Sequence, residues 1–582
     1  MTDETIRQPV ALVEKSEGGD TDADQAETTP ELAPDDASDA VVIALGKAIT
    51  INGPGATTSG NTVNITGGGT YRISGTLTDG QISVNTKEKV TLELAGMSVT
   101  NSAGPALNAV DAKKITLKLL PGTTNYFADS AQEQAEDAAV VTNDTLVIEG
   151  DGALVVTGNN GEGIASDDDI IIKGGTITVT AVDDGLDAHD NITIAGGHVS
   201  ITGGGDGIKA GQDANPEVGS IAIEGGTIEI TAARDGIQAA TTITITAGDL
   251  TISTGGGSAS ATARTAQGGR VQPGAWGQQA SDTPSAKGIK AVNDLVIAGG
   301  TITIDAADDA LHSNDSLTIN GGSLTLASGD DAIHADASVT INGGDIRITT
   351  SYEGIESAII TINDGNIRLV SSDDGINAVS DNAAAGMAGP WGRNPFNESG
   401  NNNLYINGGY IVIDANGDGL DINGSIEMTG GQVIINGPTR NDNGALDYLG
   451  TFKITSGLLV AAGSVGMAQA PSTSSAQYSV MVNLNAAQPA GTVFHIATQD
   501  GRQVLTFVPT KAYQSVVFSS PELKRGATYV VYTGGKVGGT ATDGLYAGGA
   551  YTPGTQLTSL TISSAVTVVG SSRGIFPGGR RP

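Results

Sequence analysis

The chain has no cysteine, and only 4% of its 582 residues are aromatic. The first absence excludes disulfides, thiolate metal sites and cysteine nucleophiles. The second means that a core must be built from Ile, Val, Leu and Ala. Basic charge is also scarce: 29 Lys and Arg stand against 64 Asp and Glu, a net charge of −35. No basic stripe is available to neutralise phosphates, which excludes nucleic acid as a partner. The same balance argues against anionic membranes and leaves cations, neutral polymers, or anionic polymers bridged by cations. No run reaches the roughly 18 apolar residues of a membrane-spanning helix, so no transmembrane segment is expected. No long segment carries helical periodicity.

What the chain does have is glycine, 84 residues of it, and a phrase that returns. A short acidic turn is followed by a strand, a Gly-Gly pair and a second strand: AVDDGLDAHDNITIAGGHVSIT from Ala181, AADDALHSNDSLTINGGSLTLA from Ala306, SGDDAIHADASVTINGGDIRIT from Ser328. The acid at the turn is Glu162, Asp184, Asp206, Asp235, Asp309, Asp331, Glu353, Asp374 and Asp418 in turn, with steps of 22 or 21 residues where no insertion intervenes. Such a period, with strand-length apolar segments, marks a solenoid. Two clear strands flank each Gly-Gly, and a short third one (GI-x-A) follows the acid. Three short strands per coil of about 22 residues predict an all-β parallel β-helix. Its coils would lie ~4.8 Å apart, so one repeated acid becomes a column.

The solenoid is expected over residues 41–470, with Gly-rich insertions near 255–286 and 380–402. These hold Trp276, Trp391 and Phe396, and both emerge beside the acidic edge. Residues 471–570 alternate in short runs such as YSVMVNL and TYVVYT, which predicts a small antiparallel β domain. Residues 1–40 carry twelve acids against Arg7 and Lys15 and read as a disordered acidic tether. They lack the basic start and apolar stretch of a signal peptide, and they read as a tether behind an export signal or anchor that is itself missing. Residues 571–582 read as a flexible tail.

Asp-Gly is an ordinary turn pair, because Asp bonds nearby backbone and Gly accepts a positive φ. A column asks for more. Two carboxylates ~4.8 Å apart repel by about 3.5 kcal/mol at an effective dielectric near 20. Such a column needs a cation, a basic neighbour or raised pKa values. Lys209, Arg234, Lys287 and Lys290 serve some coils. Elsewhere, clustered hard oxygens without cysteine favour calcium as cofactor. Three candidate sites follow. The first is Asp183, Asp184 and Asp187 with Glu162 and Asp206. The second is Asp308, Asp309, Asp330 and Asp331, with Glu353 at its border. The third is Asp373, Asp374, Asp418 and Asp421. His312 and His334, 22 residues apart, should stack, either as a hydrogen-bonded ladder or as zinc ligands. Trp276, Trp391 and Phe396 offer flat faces for sugar stacking, or anchor their loops against the solenoid.

At this point the residues resemble a known family. The repeats DGIxAxDxLTIxGGTITIT, the insertions before KGIKA and after DDGINA, and the stretch LTFVPTKAYQSVVFSSPEL…TYVVYTGG…LYAGGAYTPGT look like the secreted bacterial carbohydrate-binding domain family over about residues 41–570. The resemblance implies a right-handed parallel β-helix similar to pectate lyases. It also implies calcium and binding of cell-wall polysaccharide, cellulose or acidic pectin-like sugars, outside the cell or at its surface. The wider pectate lyase superfamily implies a second reading. Family nine pectate lyases hold calcium with an Asp-Asp-x-x-Asp pattern and use a lysine base. Asp183-Asp184-Gly185-Leu186-Asp187 is similar to that pattern, with Lys209 one coil later as the candidate catalytic base. The acids around Lys209 would raise its pKa and weaken it in that role. The leading expectation is calcium-dependent polysaccharide binding without catalysis. A calcium-dependent lyase and a structural or adhesive surface solenoid are the alternatives.

Overall fold

The hexapeptide Thr176–Ala181 (TITVTA) shows how one coil is specified. Its β-branched residues suit an extended strand, and alternation turns Ile177, Val179 and Ala181 inward and Thr176, Thr178 and Thr180 outward. Two shorter strands complete the coil. Leu186–Ala188 follows the acidic turn, and Ile192–Ile194 precedes the Gly-Gly corner. The next coil repeats each strand in parallel, residue for residue: Thr176 pairs with His198, Leu186 with Ile208 and Ile192 with Ile221. The molecule is therefore a parallel β-helix, as the repeat predicts. Its computed structural model describes residues 40–131, 138–211, 218–261, 285–380 and 402–571. The tether, the tail, Trp276, Trp391 and Phe396 lie outside the described residues.

Stacked coils align like with like. Ile177, Val199, Ile228 and Leu250 form one buried stripe through four coils. The Gly-Gly corner needs its second glycine. Gly197 has φ 94°, and a Cβ there would stand 2.8 Å from the carbonyl oxygen of Gly175 in the coil before. The corners can stack only without side chains.

The C-terminal part differs from a separate antiparallel domain. The last solenoid strand, Leu458–Gly463, pairs antiparallel with Tyr513–Ser519. That strand pairs antiparallel with Ser479–Gln488, which takes Val566–Val569 in parallel. The segment thus continues the solenoid's own sheet and covers an edge that would otherwise expose unpaired N–H and C=O groups. A second, antiparallel sheet built around Phe494–Thr498, Gln503–Phe507 and Thr528–Thr533 packs beyond it. Its core shares Ile434 and Val460 of the last coils, which explains why the two parts are continuous.

Candidate functional site

Between the long strand and the short strand after it, each coil turns through its acid. The turn is held by the coil before it. The amide of Asp206 donates to Oδ1 of Asp184 (2.6 Å), that of Asp235 to Oδ1 of Asp206 (2.9 Å), and that of Lys287 to Oδ1 of Asp235 (2.7 Å). The pattern resumes with Asp331 on Asp309 (3.0 Å) and Asp418 on Asp374 (2.5 Å), and ends with Gly444 donating to Asp418. Asp184, Asp206, Asp235, Asp309, Asp331 and Asp418 are all buried. Asp184, Asp206, Asp235, Asp309, Asp374 and Asp418 each spend one oxygen on a backbone amide of the next coil. What the second oxygen meets divides the edge into three stretches.

In the first stretch it meets lysine. Lys209 Nζ lies 2.9 Å from Asp184 Oδ2 and 3.6 Å from Asp187 Oδ2. An ammonium thus stands within the first candidate set. Burial would lower the Lys209 pKa, but the carboxylates of Asp184, Asp187 and Asp206 overcome it and hold the group well above the ordinary lysine range. Asp206 has less help. Burial, then Asp235 and Asp184, push its carboxyl up to about 7. Lys290 approaches Asp235 Oδ2 at 3.4 Å. Asp183 is half-buried at the rim. Glu162 sits one coil earlier and joins no metal-capable group among the described residues.

The middle stretch lines a cleft of about 570 Å³ and mixes lysine with histidine. Lys287 Nζ bonds Asp309 Oδ2 at 2.6 Å and Asp308 Oδ2 at 3.1 Å. His312 and His334 stack with centroids 4.9 Å apart. Their Nδ1 atoms reach Asp309 (2.9 Å) and Asp331 (3.0 Å), and their Nε2 atoms reach Asn314 (2.8 Å) and Asp336 (3.2 Å). With every ring nitrogen engaged, the pair fits a hydrogen-bonded ladder. Burial opposes the charge on His334, but Asp331, Asp309 and Glu356 raise its pKa to about 10. Asp309 moves the other way. Despite burial, His312 and Lys287 hold it below the usual carboxylate range. Asp308, Asp309 and Asp330 still bring oxygens within 4.8 Å of one another. Burial and a hydrogen bond with Glu356 push the Glu353 carboxyl far up, so it carries a proton at neutral pH.

In the last stretch no lysine, arginine or histidine pairs with the acids of the cluster among the described residues. Asp374, Asp418 and Asp421 bring oxygens within 4.8 Å of one another, and Asp447 stands in register with Asp421 on the next coil. None of the four forms an ion pair among the described residues, and Asp373 borders them at the rim. Burial comes first in raising each of them. Neighbouring carboxylates add to it, taking Asp374 to about 7, Asp418 to about 8 and Asp421 to about 6. Asn377 stands in register between Glu356 and Asp421. Its Nδ2 donates to Glu353 (2.7 Å) and Glu356 (3.0 Å) in the coil before, while its Oδ1 is buried and accepts no hydrogen bond. With its nitrogen turned to that coil, the amide oxygen faces away from it. Oxygen donors alone, uncompensated charge and an idle buried amide oxygen fit a hard divalent cation; the lysine-filled first set does not.

Asp447 is absent from the sequence-derived sites because the turn of its coil, Asn443-Gly444-Ala445, lacks the acid used to find the repeat. The position three residues later would have found it. That position forms a second column: Asp187, Lys209, Gln238, Lys290, His312, His334, Glu356, Asn377, Asp421, Asp447. A further group, Asp168, Asp169 and Asp190, lies at the other corner of the short strand and also follows no turn-acid pattern.

Residues 59–332 match the family model of carbohydrate-binding domain-containing proteins. A curated carbohydrate-binding domain-containing protein of Acetivibrio thermocellus is 34% identical over 139 residues, which is 22% of this chain and 49% of that protein. The chain thus spans about half the length of that relative. A solved structure of a polysaccharide lyase-like protein from C. thermocellum, a gadolinium derivative, is 33% identical. The alignment covers 37% of this chain and 92% of that one, with a TM-score of 0.36. Residues 59–332, just under half of the chain, are thus similar to the family of carbohydrate-binding domain-containing proteins.

Proposed function

We propose that this protein binds cell-wall polysaccharide in a calcium-dependent way, without catalysis, at the last stretch of the acidic edge. The observation that carries the reading is the cation-free cluster of Asp374, Asp418, Asp421 and Asp447 beside the idle Oδ1 of Asn377. Calcium accepts 6–8 oxygen ligands in flexible geometry, and these side chains offer only oxygen. The amides of Asp418 and Gly444 fix two of the carboxylates in place. A bound calcium ion supplies positive charge and open positions for sugar hydroxyls or a uronate carboxylate. The partner is then cellulose or a pectin-like polymer, and the place of action is outside the cell or at its surface. The family match supports a carbohydrate partner.

Lys209 does not support the lyase alternative. A proton-abstracting lysine needs a lowered pKa, and Asp184, Asp187 and Asp206 hold this one up.

The test is a calorimetric calcium titration of EDTA-treated protein beside an Asp418→Asn/Asp421→Asn variant. Retention on polygalacturonate and cellulose would then be measured with and without EDTA. Saturable calcium binding lost in the variant, with retention lost in EDTA, is the expected result. Retention that ignores both EDTA and the variant would overturn the reading.

A further inference from the structure

A second cleft, of about 680 Å³, opens where the outer face of the solenoid meets the C-terminal sheet. One wall is a step of three coils: Tyr410, Gln432 and Leu458 stand in register on successive strands. The other wall is residues 503–506 of the strand Gln503–Phe507 with the loop that carries Tyr546. None of its lining belongs to the acidic turns. We propose that this cleft is a second carbohydrate site, one that takes a neutral sugar unit and needs no metal.

Three observations carry this. First, the cleft presents an aromatic ring from each wall, Tyr410 and Tyr546, and a sugar ring has an apolar C–H face that stacks on such surfaces. The Arg368 guanidinium lies over the Tyr410 ring, 5.3 Å from its centroid, and braces it. Second, hydrogen-bonding groups stand ready. Among the described residues, the side chains of Gln432, Thr540 and Thr542 and the hydroxyl of Tyr546 make no hydrogen bond, although all four residues line the cleft. An amide and hydroxyls that both donate and accept match the vicinal hydroxyls of a pyranose. Third, the charges nearby are spent. Arg368 Nη2 pairs with Asp543 Oδ2 at 2.9 Å, and the Tyr410 hydroxyl donates to the same oxygen at 2.9 Å. That pairing fixes the loop at Asp543, whose φ is 48°, and no lysine or arginine lines the cleft among the described residues to favour a uronate. A volume of this size lies within the range of small-ligand sites, and a few placed polar groups among apolar faces give such sites their selectivity.

The experiment is a titration of the full chain in EDTA with cellobiose, xylobiose and mannobiose as neutral probes and digalacturonate as the charged one. Saturable binding of at least one neutral disaccharide is expected, with digalacturonate weaker. Tyr546→Ala should weaken it roughly tenfold, the loss expected for one stacked ring. Gln432→Leu, on the solenoid wall and independent of the loop, should weaken it several-fold. Asp418→Asn/Asp421→Asn should leave it unchanged, which separates this site from the calcium-dependent one. No saturation with any of the three neutral probes would overturn the proposal. So would binding that survives both cleft variants, or binding that requires calcium.

Discussion

The amide of Asp206 donates to Oδ1 of Asp184 at 2.6 Å, across 22 residues of sequence and one coil of the solenoid. Asp184 answers with its other oxygen to Lys209 Nζ, at 2.9 Å. A carboxylate is suited to this double duty. It accepts from a buried N–H on one side and balances a cation on the other, where asparagine could accept the N–H but would present an uncharged NH2 donor to the lysine. The repeated acid is thus first a structural device, and only where its second oxygen lacks a partner does it become free for a ligand.

Asp184→Ala should therefore open its coil locally. The buried amide of Asp206 would lose its acceptor, a loss of about 1–3 kcal/mol. Hydrogen exchange should register it as a fall in protection at Asp206 of about one to two orders of magnitude, with distant coils unaffected. Asp184→Asn should retain most of that protection. Equal protection in wild type and Asp184→Ala would show that the side chain does not hold the turn.

Much of this architecture is legible in the repeat itself. Thr-Ile-Thr-Val-Thr-Ala at Thr176 dictates the strand, the period of 22 dictates the stacking, and Gly197 marks a corner that only glycine can form. The columns of acids follow from the same alignment. What the repeat could not reveal is which acids are neutralised. That depends on how far a lysine reaches: Lys209 turns back one coil to Asp184, whereas Lys287 reaches forward to Asp309. Nor could alternation alone show that Tyr513–Ser519 joins the last solenoid strand, because strand partners far apart in sequence leave no local pattern.

Calcium removal should act in a pH-dependent way. Asp374, Asp418 and Asp421 have folded pKa values of about 7, 8 and 6, above the unfolded carboxylate value near 3.9. Groups raised in this sense contribute stability that is complete below about pH 4 and is lost as pH rises through the folded values. Protein in EDTA should thus melt lower at about pH 8.5 than at about pH 5. Calcium needs the ionised carboxylates, so its stabilising effect should grow across the same window. Calorimetric melts at both pH values, with calcium and with EDTA, check this. Identical melts at about pH 8.5 would remove calcium from the last stretch of the edge.

Lys209→Gln separates structure from catalysis. The substitution leaves Asp184 and Asp187 without their ammonium partner, and breaking a largely buried pair costs on the order of 3 kcal/mol. A lower denaturant midpoint is expected. On polygalacturonate, both wild type and variant should give no rise in unsaturated-uronate absorbance. A rise in wild type that disappears in Lys209→Gln would reinstate the lysine as a base.

The C-terminal sheet carries its own pH response, through His495. The ring is 4% exposed, stacks on Tyr551 with centroids 3.9 Å apart, and shares a 2.8 Å hydrogen bond between Nδ1 and Thr506. Burial pulls its pKa down to about 4, from an unfolded value near 6.5. A base lowered in this way contributes stability that is complete above about pH 6.5 and is lost as pH falls toward 4, because the unfolded chain takes up the proton first. A depression of this size corresponds to at most about 3 kcal/mol. His495→Gln, which cannot be protonated, should flatten that part of the pH profile while leaving the response of the acidic edge intact. The check is the imidazole resonance of His495 followed by NMR from about pH 7.5 to 4. A midpoint near 6.5 would show that the ring is not protected by the sheet, and the acid sensitivity would then have to come from elsewhere.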